Sequence, residues 1–240
     1  HRGQEGAGIV VSDGTRISSH KGMGLVNEVF SPTMLERLKG HIGIGHVRYS
    51  TTGSDRIQNV QPLVAECVDG IWAIAHNGNL VNAKTLRQKY QEGGAIFQTG
   101  TDSEVLVHLL ADPYFRNRPR RVARALSELK GAFAFLLMNK DVLMAARDPL
   151  GFKPISIGRL DHGYVIASET CALVQAGASY ERDVEPGELV VVDEHGLHST
   201  FFSDQEHKHF AQCVFEHVYF ARPDSLVFGE NVHAIRLKLG

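Results

Sequence analysis

Ile71-Trp72-Ala73-Ile74-Ala75-His76-Asn77-Gly78-Asn79-Leu80 decides how the rest of the chain is read. Its first half, Ile71 to Ala75, is an unbroken apolar run and reads as a buried strand. From Val81 to Glu92 the pattern becomes helical. Asn77-Gly78 between them is a strong turn signal, because both residues tolerate positive φ. Read alone, it is a strand-to-helix turn. Two other stretches give it a second reading. One is an arginine loop, Gly45-His46-Val47-Arg48-Tyr49-Ser50-Thr51-Thr52-Gly53, and the other an acidic helix start, Thr99-Gly100-Thr101-Asp102-Ser103-Glu104. An amide beside a backbone N–H, a fixed cation and a fixed carboxylate suit one ligand class: a free α-amino acid whose far end undergoes acyl chemistry.

Composition leaves that reading room. The chain has 240 residues, 43% hydrophobic and 22% charged, with enough apolar mass for a real core and for one large or two small domains. The net charge of -2 gives no basic surplus, so neither nucleic acid nor an anionic membrane is expected as partner. The apolar runs are strand-length, so no transmembrane helix is expected, and no signal peptide is visible. Three widely spaced cysteines, Cys67, Cys171 and Cys213, make no CxxC motif. A reducing cytoplasm fits them better than a disulfide framework. The chain opens at His1, not methionine, and stops at Gly240 just past a helix start; the expectation is that both ends are cut.

Working outward, Leu63–Cys67 and Ile71–Ala75 form a hairpin about Asp69-Gly70. Upstream, Ile9–Val11 and Arg16–Lys21 are strands, Val26–Phe30 and Met34–Leu38 short helical pieces, and Gly40–Val47 an interior strand that delivers Arg48. Downstream, helices run over Asn82–Gln91, Ser103–Ala111 and Val122–Leu129. Period-two hairpins follow: Ala132–Asn139 with Val142–Arg147, Pro154–Gly158 with Tyr164–Ser168, and Glu188–Val192 with Leu197–Phe202. Helices between two groups of antiparallel strands predict two sheets with helices outside, a layered α+β domain. Ser203–His209 reads as a linker, Cys213–Ala221 as a strand and Val232–Leu239 as a helix.

Arg48 presents a planar fork suited to a carboxylate, or is a solvated or structural ion pair. Thr51 and Thr52 add hydroxyls to its loop. Asp102 accepts from a substrate ammonium, or is only an N-cap. Asn77 and Gly78 have the makeup of an oxyanion hole. His76 reads as a buried, hydrogen-bonded histidine that holds the turn. A nucleophile is missing: Cys67 and Cys171 have no histidine at a telling spacing and read as inert core thiols. His207 and His209 read as a solvated stretch.

Together with His1-Arg2-Gly3-Gln4-Glu5-Gly6-Ala7-Gly8, Arg147-Asp148-Pro149-Leu150-Gly151-Phe152-Lys153-Pro154 and Ala167-Ser168-Glu169-Thr170, these motifs resemble the glutaminase domain of class II glutamine amidotransferases. Tyr219-Phe220-Ala221-Arg222-Pro223-Asp224-Ser225 points to the branch whose acceptor is phosphoribosyl pyrophosphate. The resemblance runs over essentially the whole chain. It implies the N-terminal-nucleophile hydrolase fold, a four-layer αββα sandwich. It also implies an N-terminal cysteine nucleophile, a couple of dozen residues before His1, whose α-amine (pKa ~7.7–8.0) acts as base. That cysteine is not in this sequence, so the piece is expected to be inactive alone.

By the same resemblance Arg48 holds the glutamine α-carboxylate with Thr51 nearby. Asp102 holds the α-ammonium with help from the Gly78 carbonyl, and Asn77 and Gly78 form the oxyanion hole. Residues 1–208 are the glutaminase domain, and 209–240 begin the connection to a phosphoribosyltransferase domain that would take the ammonia to 5-phosphoribosylamine, the first step of purine synthesis. No cofactor is expected in this piece. Mg2+ belongs to the transferase domain, and Cys213 matches a position that some members use in a 4Fe-4S cluster. The full enzyme is expected to be a cytoplasmic homo-oligomer, dimer or tetramer. The Gly45–Pro62 loop is expected to close over glutamine as a lid. Two other readings stand beside this one: a class II domain serving another acceptor, and a glutamine-binding fragment that does not cleave its ligand.

Overall fold

A computed structural model describes residues 1–49, 56–203 and 210–240. The first part of the chain forms β1 (Gly6–Ser12), β2 (Ile17–Met23), α1 (Val26–Val29), α2 (Pro32–Leu35) and β3 (Ile42–Arg48). The hairpin β4 (Leu63–Cys67) and β5 (Gly70–Leu80) leads into α3 (Ala83–Glu92), α4 (Glu104–Ala111), α5 (Pro113–Arg116) and α6 (Arg121–Ser127). Then come β6 (Gly131–Met138), β7 (Leu143–Arg147), β8 (Ser156–Leu160), β9 (Gly163–Ala167), α7 (Thr170–Gln175), β10 (Ser179–Asp183), β11 (Glu188–Asp193) and β12 (Gly196–Phe201). A C-terminal segment carries β13 (Leu226–Val227), β14 (Glu230–Asn231) and α8 (Val232–Leu239).

The two-residue period of a strand sorts the side chains of β6 onto two faces. Phe133, Phe135 and Leu137 meet Trp72 and Ile74 of β5 and Leu106, Leu109 and Leu126 of the α4–α6 layer. Each such side chain, fully withdrawn from water, contributes about 1.5–3 kcal/mol. Ala134 on the opposite face meets Ile155, Ile157 and Ile166, and Met138 meets Val10 and Ile44. The six-stranded sheet β12-β11-β7-β6-β5-β4 is therefore covered by helices on one face. On the other lie two three-stranded sheets, β2-β1-β3 and β10-β8-β9. Outside these pack α7, with Leu173 against Gly158, and α1, with Val29 against Gly22. Helices, sheet, divided sheet and helices make the four-layer αββα sandwich, antiparallel throughout its three main sheets.

Three sequence readings are corrected. Ala75–Leu80 is not a turn: β5 runs through it, pairing Asn77 with Ala134 and Gly78 with Phe133. The long β6 partner carries the ladder past Asn-Gly, and the chain bends only at Val81-Asn82. Cys213–Ala221 is not a strand but closes into a short π-helix over Glu216–Phe220, with Ala221 N–H donating to the Glu216 carbonyl at 3.0 Å. Coiling carries the Glu216 carboxylate fully inside, and a short apolar run does not announce its period. The second of the two sheet layers, read as one sheet, is two three-stranded sheets. The sequence reading also missed α5, α7 and β10. The linker reading of Ser203–His209, with His207 and His209, lies outside the described residues apart from Ser203, as do residues 50–55 of the Gly45–Pro62 lid.

Two buried carboxylates tie the C-terminal segment to the start of the chain. Glu169 accepts from Arg2 Nε, from Arg222 N at 2.8 Å and from Ser225 Oγ at 2.8 Å, and lies 2.7 Å from His1 Nε2. Glu216 accepts from the other arm of Arg2 at 2.7 Å and lies 3.4 Å from Lys153 Nζ. Removing one partner from such a cluster strands charge out of water, which is why it holds as a unit.

Candidate active site

β5 places consecutive side chains on opposite faces of the large sheet. His76 points to the helix side, where its ring stacks on Phe135 with centroids 4.3 Å apart. Its Nδ1 is 2.9 Å from Ser103 Oγ and 3.6 Å from Asp102 Oδ1. Asp102 Oδ2 accepts from the Leu80 amide at 2.8 Å, and its Oδ1 accepts from Ser103 Oγ at 3.3 Å. Asp102 is thus not an N-cap: its carboxylate reaches back to the end of β5, and α4 has no side-chain cap. Burial pushes its carboxyl up, but the nearby His76 ring and the hydrogen bonds from the Leu80 amide and Ser103 outweigh it and hold it below the usual carboxylate value.

Asn77 points the other way, and its Nδ2 is buried with no hydrogen-bond partner among the described residues. A buried amide donor left empty costs roughly 1–3 kcal/mol, so the position is arranged for something to fill it. Gly78 adds a second donor. Alternate residues of an antiparallel strand turn their N–H and C=O to the same edge. His76 gives its N–H to Gln61 Oε1 at 2.6 Å and its carbonyl lies 3.1 Å from His46 Nε2. Gly78 presents its N–H to that same edge, past the point where β4 pairs no further than Leu63 with Ile74. Its φ of 153° and a virtual Cβ only 2.0 Å from the Ala132 carbonyl oxygen admit no residue but glycine.

Arg48, the last residue of β3, is 4% exposed, so the solvated-pair reading fails. Its strand is fastened to β5 by His46, whose ring bonds the His76 carbonyl. Burial lowers the His46 pKa to about 4, with the His76 carbonyl opposing and the His76 and Arg48 charges assisting. Gly3 lies flat against Arg48: a Cβ on it would come within 2.6 Å of the Arg48 carbonyl carbon and oxygen. Glu5 N–H donates to that same oxygen at 3.2 Å.

Asn77, Gly78 and Asp102 are thus gathered at the end of β5, with Arg48 joined through His46. Thr51 lies outside the described residues. Cys213 belongs elsewhere, its amide donating to Phe152 O at 3.3 Å. Among the described residues no group of three His, Cys, Asp or Glu side chains is placed to hold a metal ion. One thiol is a quarter of a cluster's ligands, so Cys213 and its neighbours do not fit an iron–sulfur site by themselves, and no step below runs through one. Burial raises the Cys67 and Cys171 thiols, leaving them little thiolate. Sequence reasoning gave no role to Ser103, Gln61 or His46, although Ser103 and His46 sit inside the motifs it used.

Residues 46–175 match the glutamine amidotransferase domain family, and the chain belongs to that family. Its relatives name a narrower group. The amidophosphoribosyltransferase of Bacillus subtilis (strain 168) is 47% identical over 100% of this chain and 50% of its own length. Amidophosphoribosyltransferase 3, chloroplastic, of Arabidopsis thaliana is 49% identical over 100% of this chain and 45% of its own. A solved structure of glutamine phosphoribosylpyrophosphate amidotransferase from B. subtilis, complexed with ADP and GMP, superposes with a TM-score of 0.91 at 46% identity, covering 100% of this chain and 51% of that one. The chain therefore spans about half the length of the curated relatives it matches. No helix among the described residues is long and apolar enough to cross a membrane.

Proposed function

We propose that this chain is the glutamine-binding and glutamine-hydrolysing half of an amidophosphoribosyltransferase. Arg48 takes the glutamine α-carboxylate in a bidentate bond, Thr51 assists, and Asp102 takes the α-ammonium with the Gly78 carbonyl. The side-chain amide then lies against Asn77 Nδ2 and Gly78 N–H. A cysteine thiolate outside this sequence attacks the amide carbon. The carbonyl electrons move to oxygen, where the two donors stabilise the developing charge. Collapse breaks the C–N bond, ammonia leaves with the proton taken from the thiol, and water hydrolyses the thioester to glutamate. The empty, buried Asn77 donor beside Gly78 is the observation that carries this reading.

The remaining functions belong to the whole protein. Residues 1–208 are the glutaminase domain, and 209–240 lead to a transferase half that adds the ammonia to phosphoribosyl pyrophosphate with Mg2+. The exposed Val214, Phe215, Tyr219, Leu237 and Leu239 are surface that such a half, or a second subunit of a homo-oligomer, would cover. The three free cysteines suit a reducing compartment such as the cytoplasm.

Calorimetric titration with glutamine tests the binding half of the proposal. Arg48→Ala and Asp102→Ala each weaken binding by on the order of tenfold to a hundredfold, the worth of charge-assisted hydrogen bonds. In the full-length enzyme both variants lose glutamine-dependent synthesis and keep ammonia-dependent synthesis. Unchanged glutamine affinity in both variants refutes the assignment.

A further inference from the structure

We infer that His76 and Ser103 are positioning residues that aim the Asp102 carboxylate at the substrate α-ammonium, and so set the preference for an α-amino acid over an acid lacking the amine. The inference rests on the reading of Asp102 as the ammonium acceptor.

Three observations carry it. First, the hydrogen-bond directions follow from the Asp102 carboxylate, which when ionised can only accept. Ser103 has one hydroxyl proton and gives it to Asp102 Oδ1, so its remaining contact, 2.9 Å from His76 Nδ1, is one in which the ring nitrogen donates. The relay therefore runs from His76 Nδ1–H to Ser103 Oγ–H to Asp102 Oδ1. Second, the ring cannot swing away. It is stacked on Phe135, 4% exposed, and held at both its backbone N–H and its carbonyl by Gln61 and His46. Ser103 is fully buried. Third, with Oδ2 taken by the Leu80 amide and Oδ1 by Ser103, both carboxylate oxygens are restrained before any ligand arrives. Each oxygen keeps acceptor capacity for an ammonium. A carboxylate fixed in this way loses little freedom on binding.

His76 thereby joins the two ends of the ligand. Its side chain restrains the group that meets the amine, and its Nε2 lies against Gly78, where a Cβ would approach it to 2.8 Å. Touching neither reacting atoms nor substrate, it acts through Asp102 and through the course of β5.

The test measures binding of two ligands, glutamine and 4-carbamoylbutanoate, which is glutamine without its α-amine. Wild type, Asp102→Asn, Ser103→Ala, His76→Phe and His76→Asn are compared by calorimetry. Phenylalanine keeps the stack on Phe135 and removes the donor; asparagine places an amide N–H near the position of Nδ1. Ser103→Ala and His76→Phe should weaken glutamine about tenfold while leaving the deaminated ligand unchanged, and His76→Asn should recover most of the loss. Ser103→Ala deletes one oxygen and keeps the test standing if His76→Phe fails to fold. Equal weakening of both ligands would mean a merely structural role and overturn the inference. So would an unchanged ratio in Ser103→Ala when Asp102→Asn collapses it. A wild type, or an Asp102→Asn variant, showing no difference in discrimination overturns the ammonium reading and this inference with it.

Discussion

Gly78→Ala puts the site's backbone to the test. The added methyl would lie 2.0 Å from the Ala132 carbonyl oxygen and 2.8 Å from both Phe133 Cα and His76 Nε2. An ordinary carbon–oxygen contact is about 3.3 Å, so β5 and β6 must part by roughly 1.3 Å at this point. Two of the three obstacles are backbone atoms and cannot swing aside. A non-glycine residue forced to this φ costs about 1–3 kcal/mol, and opening the ladder forfeits one or two hydrogen bonds at about 1 kcal/mol each. The total is about 2–5 kcal/mol, a fall in Tm of roughly 4–20 °C for a chain of this size. Gly45→Ala is the control. Its methyl meets only ordinary contacts, Gly8 O at 3.7 Å and Ile9 Cγ1 at 3.8 Å, so lost unfolded-state freedom should leave it neutral or stabilised by about 0.4–1 kcal/mol. Urea unfolding followed by circular dichroism separates the two. A Gly78→Ala midpoint within about 0.5 kcal/mol of the control would refute the account of β5 given above.

Two further outcomes are expected. An unfolded histidine protonates near pH 6.5 and His46 in the fold only at about 4, so between those values the unfolded chain holds the extra proton. Stability should fall as pH drops from about 6.5 to about 4, by about 3 kcal/mol in all, and His46→Gln should flatten that part of the profile; urea midpoints that fall as steeply in the variant contradict it. Glu169→Ala leaves Arg2 short of a partner and frees Ser225 Oγ and the Arg222 amide. A loss of about 3–5 kcal/mol follows, with amide exchange rising first around 222–226, and unaltered exchange there would show that the carboxylate does not hold the segment.

The hairpins were readable because Asp69-Gly70, Asp161-His162-Gly163 and Glu194-His195-Gly196 each pair a turn residue with a period-two run. Helix α8 was readable from its pattern, which the structure bounds at Val232–Leu239. What escaped was short or long-ranged. Helix α7 has six residues and no capping side chain, and Cys213–Ala221 is apolar without a decisive period. Asn77-Gly78 misled because the same two residues serve a turn or a strand, and only β6, more than fifty positions away, decides which. The residue types of the site were legible in its motifs. The acceptor of Asn77's neighbour, Gln61, and the relay through Ser103 were not, since fifteen and twenty-seven positions separate them from His76 until the sheet brings them together.

Of the two buried carboxylates, Glu216 links the C-terminal segment most directly to the strand that ends at Arg48. Glu216 sits in the C-terminal π-helix and grips Arg2, Arg2 precedes Gly3, and Gly3 lies in van der Waals contact with the backbone of Arg48. That line has no slack: a buried ion pair, one peptide step and a bare glycine face. It runs from the buried Glu216 carboxylate to the strand terminus that carries the guanidinium. The C-terminal π-helix is thereby joined, through Arg2 and Gly3, to the strand terminus that carries Arg48.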